Sequence, residues 1–160
     1  MKVIFLDIDG VLNIMSKSYI TTYFRPDGTV RYLEDHLVQR LNYLIETTDS
    51  YVVISSSWRS DMEDLLYQLN KTNFKHSDKI IGATDYNEKY RGEQIQDYLD
   101  SKPDIESYVV LEDEPCDVCG YKCDVVPEDK VVQVNMNNGL THEDIEKAKS
   151  ILMNCESKIL

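Results

Sequence analysis

Three short runs of continuous apolar residues recur along the 160-residue chain, Val3-Ile4-Phe5-Leu6, Tyr51-Val52-Val53-Ile54 and Tyr108-Val109-Val110-Leu111, and Val131-Val132-Gln133-Val134 repeats their character with one polar residue. A strand covered on both faces shows such a run, without the in–out alternation of a half-exposed one. Between the runs, apolar positions return at spacings of three and four, as on one face of a helix. They are Leu37, Leu41, Leu44 and Ile45; then Met62, Leu65, Leu66 and Leu69; then Ile95, Tyr98 and Leu99; and finally Ile145, Ala148, Ile151 and Leu152. The last stripe follows Gly139-Leu140, where Thr141 and Asp144 have the spacing of a capping box. Strands separated by helices predict parallel pairing through right-handed crossovers.

The architecture expected is α/β: a doubly wound, Rossmann-like parallel sheet, with residues 1–160 forming one domain. Two segments break the alternation. Tyr19 to Tyr32 reads as a β-hairpin turning at Pro26-Asp27-Gly28, and Asp113 to Asp129 reads as a long acidic loop bearing cysteines, with Pro115 and Pro127. No internal repeat, low-complexity tract or linker is visible.

Composition narrows the function. Hydrophobic residues make up 42% and charged residues 29%, as in a globular protein. Seventeen Lys and Arg against 29 Asp and Glu give a net charge of −12. Such a surface repels a phosphate backbone at long range and excludes strong non-specific nucleic-acid binding, though not a local cationic site for one phosphate. No apolar stretch approaches the about 20 residues of a membrane span. The N-terminus meets Asp7 after only four apolar residues, unlike a secretory signal. A cytoplasmic location with reduced cysteines is expected.

Chemistry concentrates directly after the apolar runs, at the strand ends where ligands gather in open α/β sheets. Asp7-Ile8-Asp9-Gly10 ends the first: two carboxylates two residues apart repel unless a cation or a shared proton relieves them, and Gly10 permits a sharp turn. Ile54-Ser55-Ser56-Ser57-Trp58-Arg59 ends the second. Hydroxyls and free N–H groups at a helix start suit an anion, although a serine there also serves as an ordinary N-cap. Glu112-Asp113-Glu114-Pro115-Cys116-Asp117 ends the third, and oxygen-only ligands select a hard cation such as Mg²⁺. Lys89-Tyr90-Arg91-Gly92 opens the helix before it, where Lys89 or Arg91 could neutralise a phosphoryl group.

This order of acid pair, hydroxyl, cation and acid pair resembles the haloacid dehalogenase-like (HAD) phosphohydrolase superfamily over nearly the whole chain. Ser-Ser-Ser-Trp-Arg and Arg-Gly-x-x-Ile-x-x-Tyr-Leu are further similar to small HAD domains of RNA-repair proteins, akin to polynucleotide 3′-phosphatases. The resemblance implies Mg²⁺-dependent phosphomonoester hydrolysis through an aspartyl-phosphate. Asp7 would be the nucleophile and Asp9 the general acid/base. Ser55, Ser56 and Arg91 or Lys89 would bind phosphate. Mg²⁺ would be held among Asp7, Asp9, Glu112, Asp113 and Asp117. Glu112 departs from the pattern, standing where many relatives have Gly or Asp. No length remains for a separate cap domain, so the site is expected open, or covered only by the hairpin as a flap. The expected partner is a small phosphorylated substrate, a nucleotide or a phosphorylated nucleic-acid end. The alternative is a non-catalytic HAD-like domain binding metal and phosphate, with a zinc-bearing cysteine loop at Cys116, Cys119 and Cys123. His36, His76 and His142 lie far apart and indicate no histidine-based centre.

Overall fold

The computed structural model describes residues 1–15, 23–24, 30–31 and 33–157. Five strands form one all-parallel sheet: β1 (Lys2–Leu6), β4 (Tyr51–Ile54), β5 (Ile80–Ala83), β6 (Ser107–Glu112) and β7 (Val131–Gln133), in the order β5-β4-β1-β6-β7. Two short strands, β2 (Tyr23–Phe24) and β3 (Val30–Arg31), pair antiparallel and give the expected hairpin its backbone ladder. Its turn at Pro26-Asp27-Gly28, and Tyr19 and Tyr32, lie outside the described residues. Among the described residues, four helices complete the fold: α1 (Asp35–Thr48), α2 (Met62–Lys71), α3 (Arg91–Ser101) and α4 (His142–Ser157).

The unalternating apolar runs have a direct explanation, because successive side chains of a strand point to opposite faces. Ile4, Leu6, Val52, Ile54, Val109 and Leu111 join one core with Leu37, Leu41 and Leu44 of α1, Leu65 and Leu69 of α2, and Ile145, Ala148 and Leu152 of α4. Val3, Phe5, Val53 and Val110 point the other way, against Ile95 of α3 and against Val118 and Val126 of the cysteine-bearing segment. That segment is therefore a covering layer of the second core as well as a surface loop. The Tyr98 and Tyr108 rings meet Phe5 edge-on at 5.8 and 5.9 Å, a favoured aromatic geometry.

One helix start matches its sequence signature, and another is capped by an acid where a serine is the sequence candidate. Thr141 and Asp144 exchange hydrogen bonds, Thr141 N–H donating to Asp144 Oδ2 and Asp144 N–H to Thr141 Oγ1. Asp61 caps α2 by accepting from Asp64 N–H. Ser56 caps a separate single turn over Ser57–Asp61, accepting from Trp58 N–H. The serine cluster and the helix are thus distinct elements. Strand β5 lacked a sequence signal. Ile80-Ile81-Gly82-Ala83 offers only two large apolar residues, and at a sheet edge it needs little more.

Strand order decides where a ligand goes. From β1 the chain winds outward through β4 to β5, then returns to place β6 on the other side of β1 and ends at β7. The direction reverses at β1–β6, and the crevice beyond the carboxyl ends of the strands opens at such a switch point.

Candidate active site

The β1–β6 register carries Leu6 opposite Leu111, so the next residues, Asp7 and Glu112, emerge side by side. Asp7 N–H donates to Leu111 O, extending the ladder by one bond. The chain then turns tightly, with Val11 and Leu12 N–H both donating to Ile8 O. Gly10 takes φ +79, a left-handed conformation that costs glycine little. A Cβ at Gly10 would also collide with the Asp113 carboxylate, so the glycine makes room for that acid. Asp7 and Asp9 converge on one cavity of about 280 Å³ with Arg91, Glu112, Asp113 and Asp117. The convergence comes from this turn and not from simple extended-chain alternation, since β1 ends at Leu6.

Asp9 is held from two sides. Asn13 Nδ2–H donates to Asp9 Oδ1 at 2.9 Å, and Trp58 Nε1–H donates to the same oxygen at 3.1 Å. Asn13 is itself fixed by accepting from Gly10 N–H. Oδ2 of Asp9 has no donor among the described residues. Neither Asn13 nor Trp58 carries a local sequence signal for this role. Trp58 was legible only as part of Ser-Ser-Ser-Trp-Arg, and its reach to Asp9, 49 residues away, is purely tertiary.

The cation of the site is Arg91. Its Nη1 lies 2.5 Å from Glu112 Oε2 and 3.6 Å from Asp7 Oδ1. Lys89 instead pairs with Asp97 at 2.8 Å on the surface and does not line the Asp7 cavity. The physical reason is helix geometry: Arg91 is the first residue of α3 and faces the sheet edge, whereas Lys89 precedes the helix and folds back along its outer side. Lys122, from the cysteine-bearing segment, is a second cation on the cavity wall, unmarked by any motif.

Burial governs the electrostatics. It raises the pKa of Asp7 above the ordinary carboxylate range, although the Arg91 charge pulls it down. Burial and then the Asp7 charge raise Glu112 well above that range, again against Arg91. Two carboxylates this close and this buried repel each other, and the single Arg91 guanidinium offsets only part of that cost. Burial opposes the Arg91 charge, but Glu112 and Asp7 outweigh it and raise its pKa.

The serines are placed differently from one another. Ser55 and Ser56 are buried, and Ser55 N–H donates to Leu6 O. Ser55 Oγ is buried with no partner among the described residues, an unspent hydroxyl at the strand end. Ser57 is the serine that lines the cavity itself. Arg59 pins this segment, donating from Nη1 to both Ser55 O and Ser56 O at 2.7 Å and from Nη2 to Gln94 Oε1 of α3.

A divalent cation fits the acid cluster. Among the described residues, Asp7, Glu112 and Asp113 are the set of His, Cys, Asp or Glu ligand atoms that converge within 4.8 Å. The donors are all carboxylate oxygens, suited to Mg²⁺ and not to a soft metal. Asp117 lines the cavity but stands outside this cluster. Cys116, Cys119 and Cys123 are free thiols and form no such convergent set. Burial and nearby acids push the Cys119 and Cys123 thiols up.

A doubly wound parallel sheet with an oxygen-ligand cluster at its switch point, an acid pair on the turn after β1 and a cation on the opposing helix has the build of a HAD-type domain, a class made up mainly of phosphohydrolases. The chain belongs to the family described as the HAD domain in Swiss Army Knife RNA repair proteins, whose model matches residues 3–145. No curated protein and no solved structure matches it. Among the described residues, no helix is long and apolar enough to cross a membrane.

Proposed function

We propose that the chain is a Mg²⁺-dependent phosphomonoester hydrolase acting through an aspartyl-phosphate on Asp7. The observation that carries this reading is the pairing of roles on one turn. Asp7 sits in the acid cluster under Arg91, while Asp9 is steered by Trp58 and Asn13 with one oxygen left open. Asp7, Asp113 and the Asp9 carbonyl would hold Mg²⁺, with Glu112 beside them; when bound, the ion supplies charge neutralisation between nucleophile and phosphate.

The chain's residues do the rest. Asp7 Oδ attacks phosphorus in line with the departing oxygen, forming one P–O bond as the other breaks. Asp9, protonated at the open oxygen, delivers its proton to the leaving group. It then takes a proton from the water that cleaves the acyl phosphate and regenerates Asp7. Arg91, the unspent Ser55 hydroxyl and the Ser56 N–H stabilise charge on the equatorial oxygens. Among the described residues no separate cap covers the cavity, which leaves room for a bulky leaving group, so the substrate is a nucleotide or a phosphorylated nucleic-acid end.

The test is phosphate release with Mg²⁺ from 3′- and 5′-phosphorylated oligonucleotides, mononucleotides and an aryl phosphate. Asp7→Asn should abolish release on all of them with the fold intact. Asp9→Asn should slow alkyl phosphates far more than the aryl phosphate, whose leaving group hardly needs a proton. Near wild-type turnover by Asp7→Asn, or full activity in EDTA, would overturn the assignment. No release from any substrate would point to a domain that only binds metal and phosphate.

A further inference from the structure

A second cavity of about 470 Å³ adjoins the first, sharing Arg91 and Asp117 as its wall. Its other sides bring together Arg59, Tyr86, Lys89 and Gln94, residues of two different loops and a helix. Two features of this cavity are unusual for an idle surface. Arg59 is half-buried and forms no ion pair among the described residues; its bonds go to two carbonyls and one amide. Burial and the neighbouring Arg91 charge both lower its pKa. Arg91 is compensated by Asp7 and Glu112, so the uncompensated charge belongs to Arg59. In a chain of net charge −12, that charge can be relieved by an anion arriving from solvent. The second feature is Tyr86. It is 71% exposed, yet its ring is held over the guanidinium, 5.0 Å from Arg59 Cζ to the centroid. A ring fixed on one face by a cation leaves its other face open for stacking.

The surrounding bonds make this a built wall. Gln94 is buried. It accepts from Arg59 and donates through Nε2 to Lys89 O, with longer bonds to Asn87 O and Oδ1. The Asn87–Lys89 loop is thereby tied to the Ser55–Ser56 segment through two side chains. The Lys89 side chain, 55% exposed, adds a cation at the rim, shared with Asp97.

We infer that this cavity is a leaving-group subsite, taking a second phosphate on Arg59 and Lys89 and a flat ring on Tyr86, so that the preferred substrate is a nucleoside bisphosphate unit. The inference rests on the hydrolase reading of the Asp7 site. With the scissile phosphate over Asp7, the leaving group passes Arg91 and enters the second cavity. The acidic first cavity needs a metal to accept an anion, whereas the second sets Arg59, Lys89 and Arg91 against the two acids Glu88 and Asp117.

Two measurements on the full chain test it. The first compares kcat/KM for a nucleoside 3′,5′-bisphosphate, the two monophosphates and glycerol phosphate. Wild type should prefer the bisphosphate to the monophosphates by about tenfold, the worth of one charge-assisted contact. It should prefer monophosphates to glycerol phosphate by about fivefold or more, the low end for one stacked ring. Tyr86→Ala should erase the second preference and keep the first. Arg59→Gln should erase the first. If Arg59→Gln does not fold, raising the salt in wild type should shrink the first preference and leave the second. Equal preferences in wild type and Tyr86→Ala would overturn the ring assignment, and a salt-independent bisphosphate preference would overturn the charge assignment. The second measurement is calorimetric titration of the bisphosphate and the monophosphates into Asp7→Asn, which needs no turnover. Failure of all hydrolysis with tighter bisphosphate binding would sink the hydrolase reading and spare the subsite. Hydrolysis with no binding preference would do the reverse.

Discussion

Arg91→Met removes the single guanidinium that lies against two buried acids. Asp7 and Glu112 are 5% and 1% exposed, and Arg91 Nη1 stands 3.6 and 2.5 Å from them. Removing one partner from a buried pair costs about 3–5 kcal/mol when the remaining charge is stranded. Here the pair can neutralise itself further by taking up a proton, and Arg91 is itself partly exposed, so the low end applies: a loss of about 3 kcal/mol. For a chain of 160 residues that corresponds to a melting point lower by roughly 6–12 °C. Adding Glu112→Gln removes one of the stranded acids. The double variant should recover stability over Arg91→Met alone, with a coupling of at least about 1 kcal/mol. Hydrolysis should stay depressed by about 10²-fold or more in both, because the charge on the equatorial oxygens goes unanswered. Urea melts of wild type, the two single variants and the double variant give the stability cycle, and phosphate release gives the activity. Additive losses with no recovery would refute the view that Arg91 compensates Glu112. Normal turnover by Arg91→Met would remove it from the phosphate site.

The raised pKa values of Asp7 and Glu112 set the sign of pH dependence. The folded chain keeps protons that the unfolded chain has lost above about pH 4, so metal-free stability should fall as pH rises from about 5 to 8. Added Mg²⁺ should offset that fall, and a flat or rising metal-free profile would refute the raised values. Trp58→Phe keeps the ring but removes the N–H on Asp9; alkyl phosphate turnover should drop about tenfold, the worth of a charged hydrogen bond, with the aryl phosphate spared. Equal losses on both would mean that Trp58 supports the fold instead. Gly10→Ala meets both the left-handed φ and the Asp113 carboxylate. It should lower stability by about 1–3 kcal/mol and raise the Mg²⁺ concentration needed for half-maximal activity; an unchanged Mg²⁺ midpoint would separate Asp113 from the metal.

By itself the sequence determined the layers and the place of the chemistry. Apolar runs without alternation could only be strands buried on both faces, and each of Asp7, Ser55 and Glu112 follows such a run directly, so all three had to reach one edge of the sheet. Thr141 and Asp144 specified their helix start in the same local way, because a capping box closes within four residues. Tertiary structure decided what depends on partners distant along the chain. The β1–β6 register set Asp7 beside Glu112, and that neighbour together with the start of α3 distinguished Arg91 from Lys89, two residues of like charge only two positions apart. Trp58 and Asn13 became the holders of Asp9 because a tight turn and a capped single turn face each other across the edge. Strand β5 needed β4 to exist, since two isoleucines and a glycine pair at a sheet edge but signal little alone. Arg59 and Tyr86 lie in separate loops, and no local pattern marks a cation–ring stack that folding assembles from 27 residues apart in sequence. Local hydrogen bonding and side-chain periodicity act over a few residues and are therefore written in the sequence, whereas charge compensation deep in a cleft is settled by which strands become neighbours.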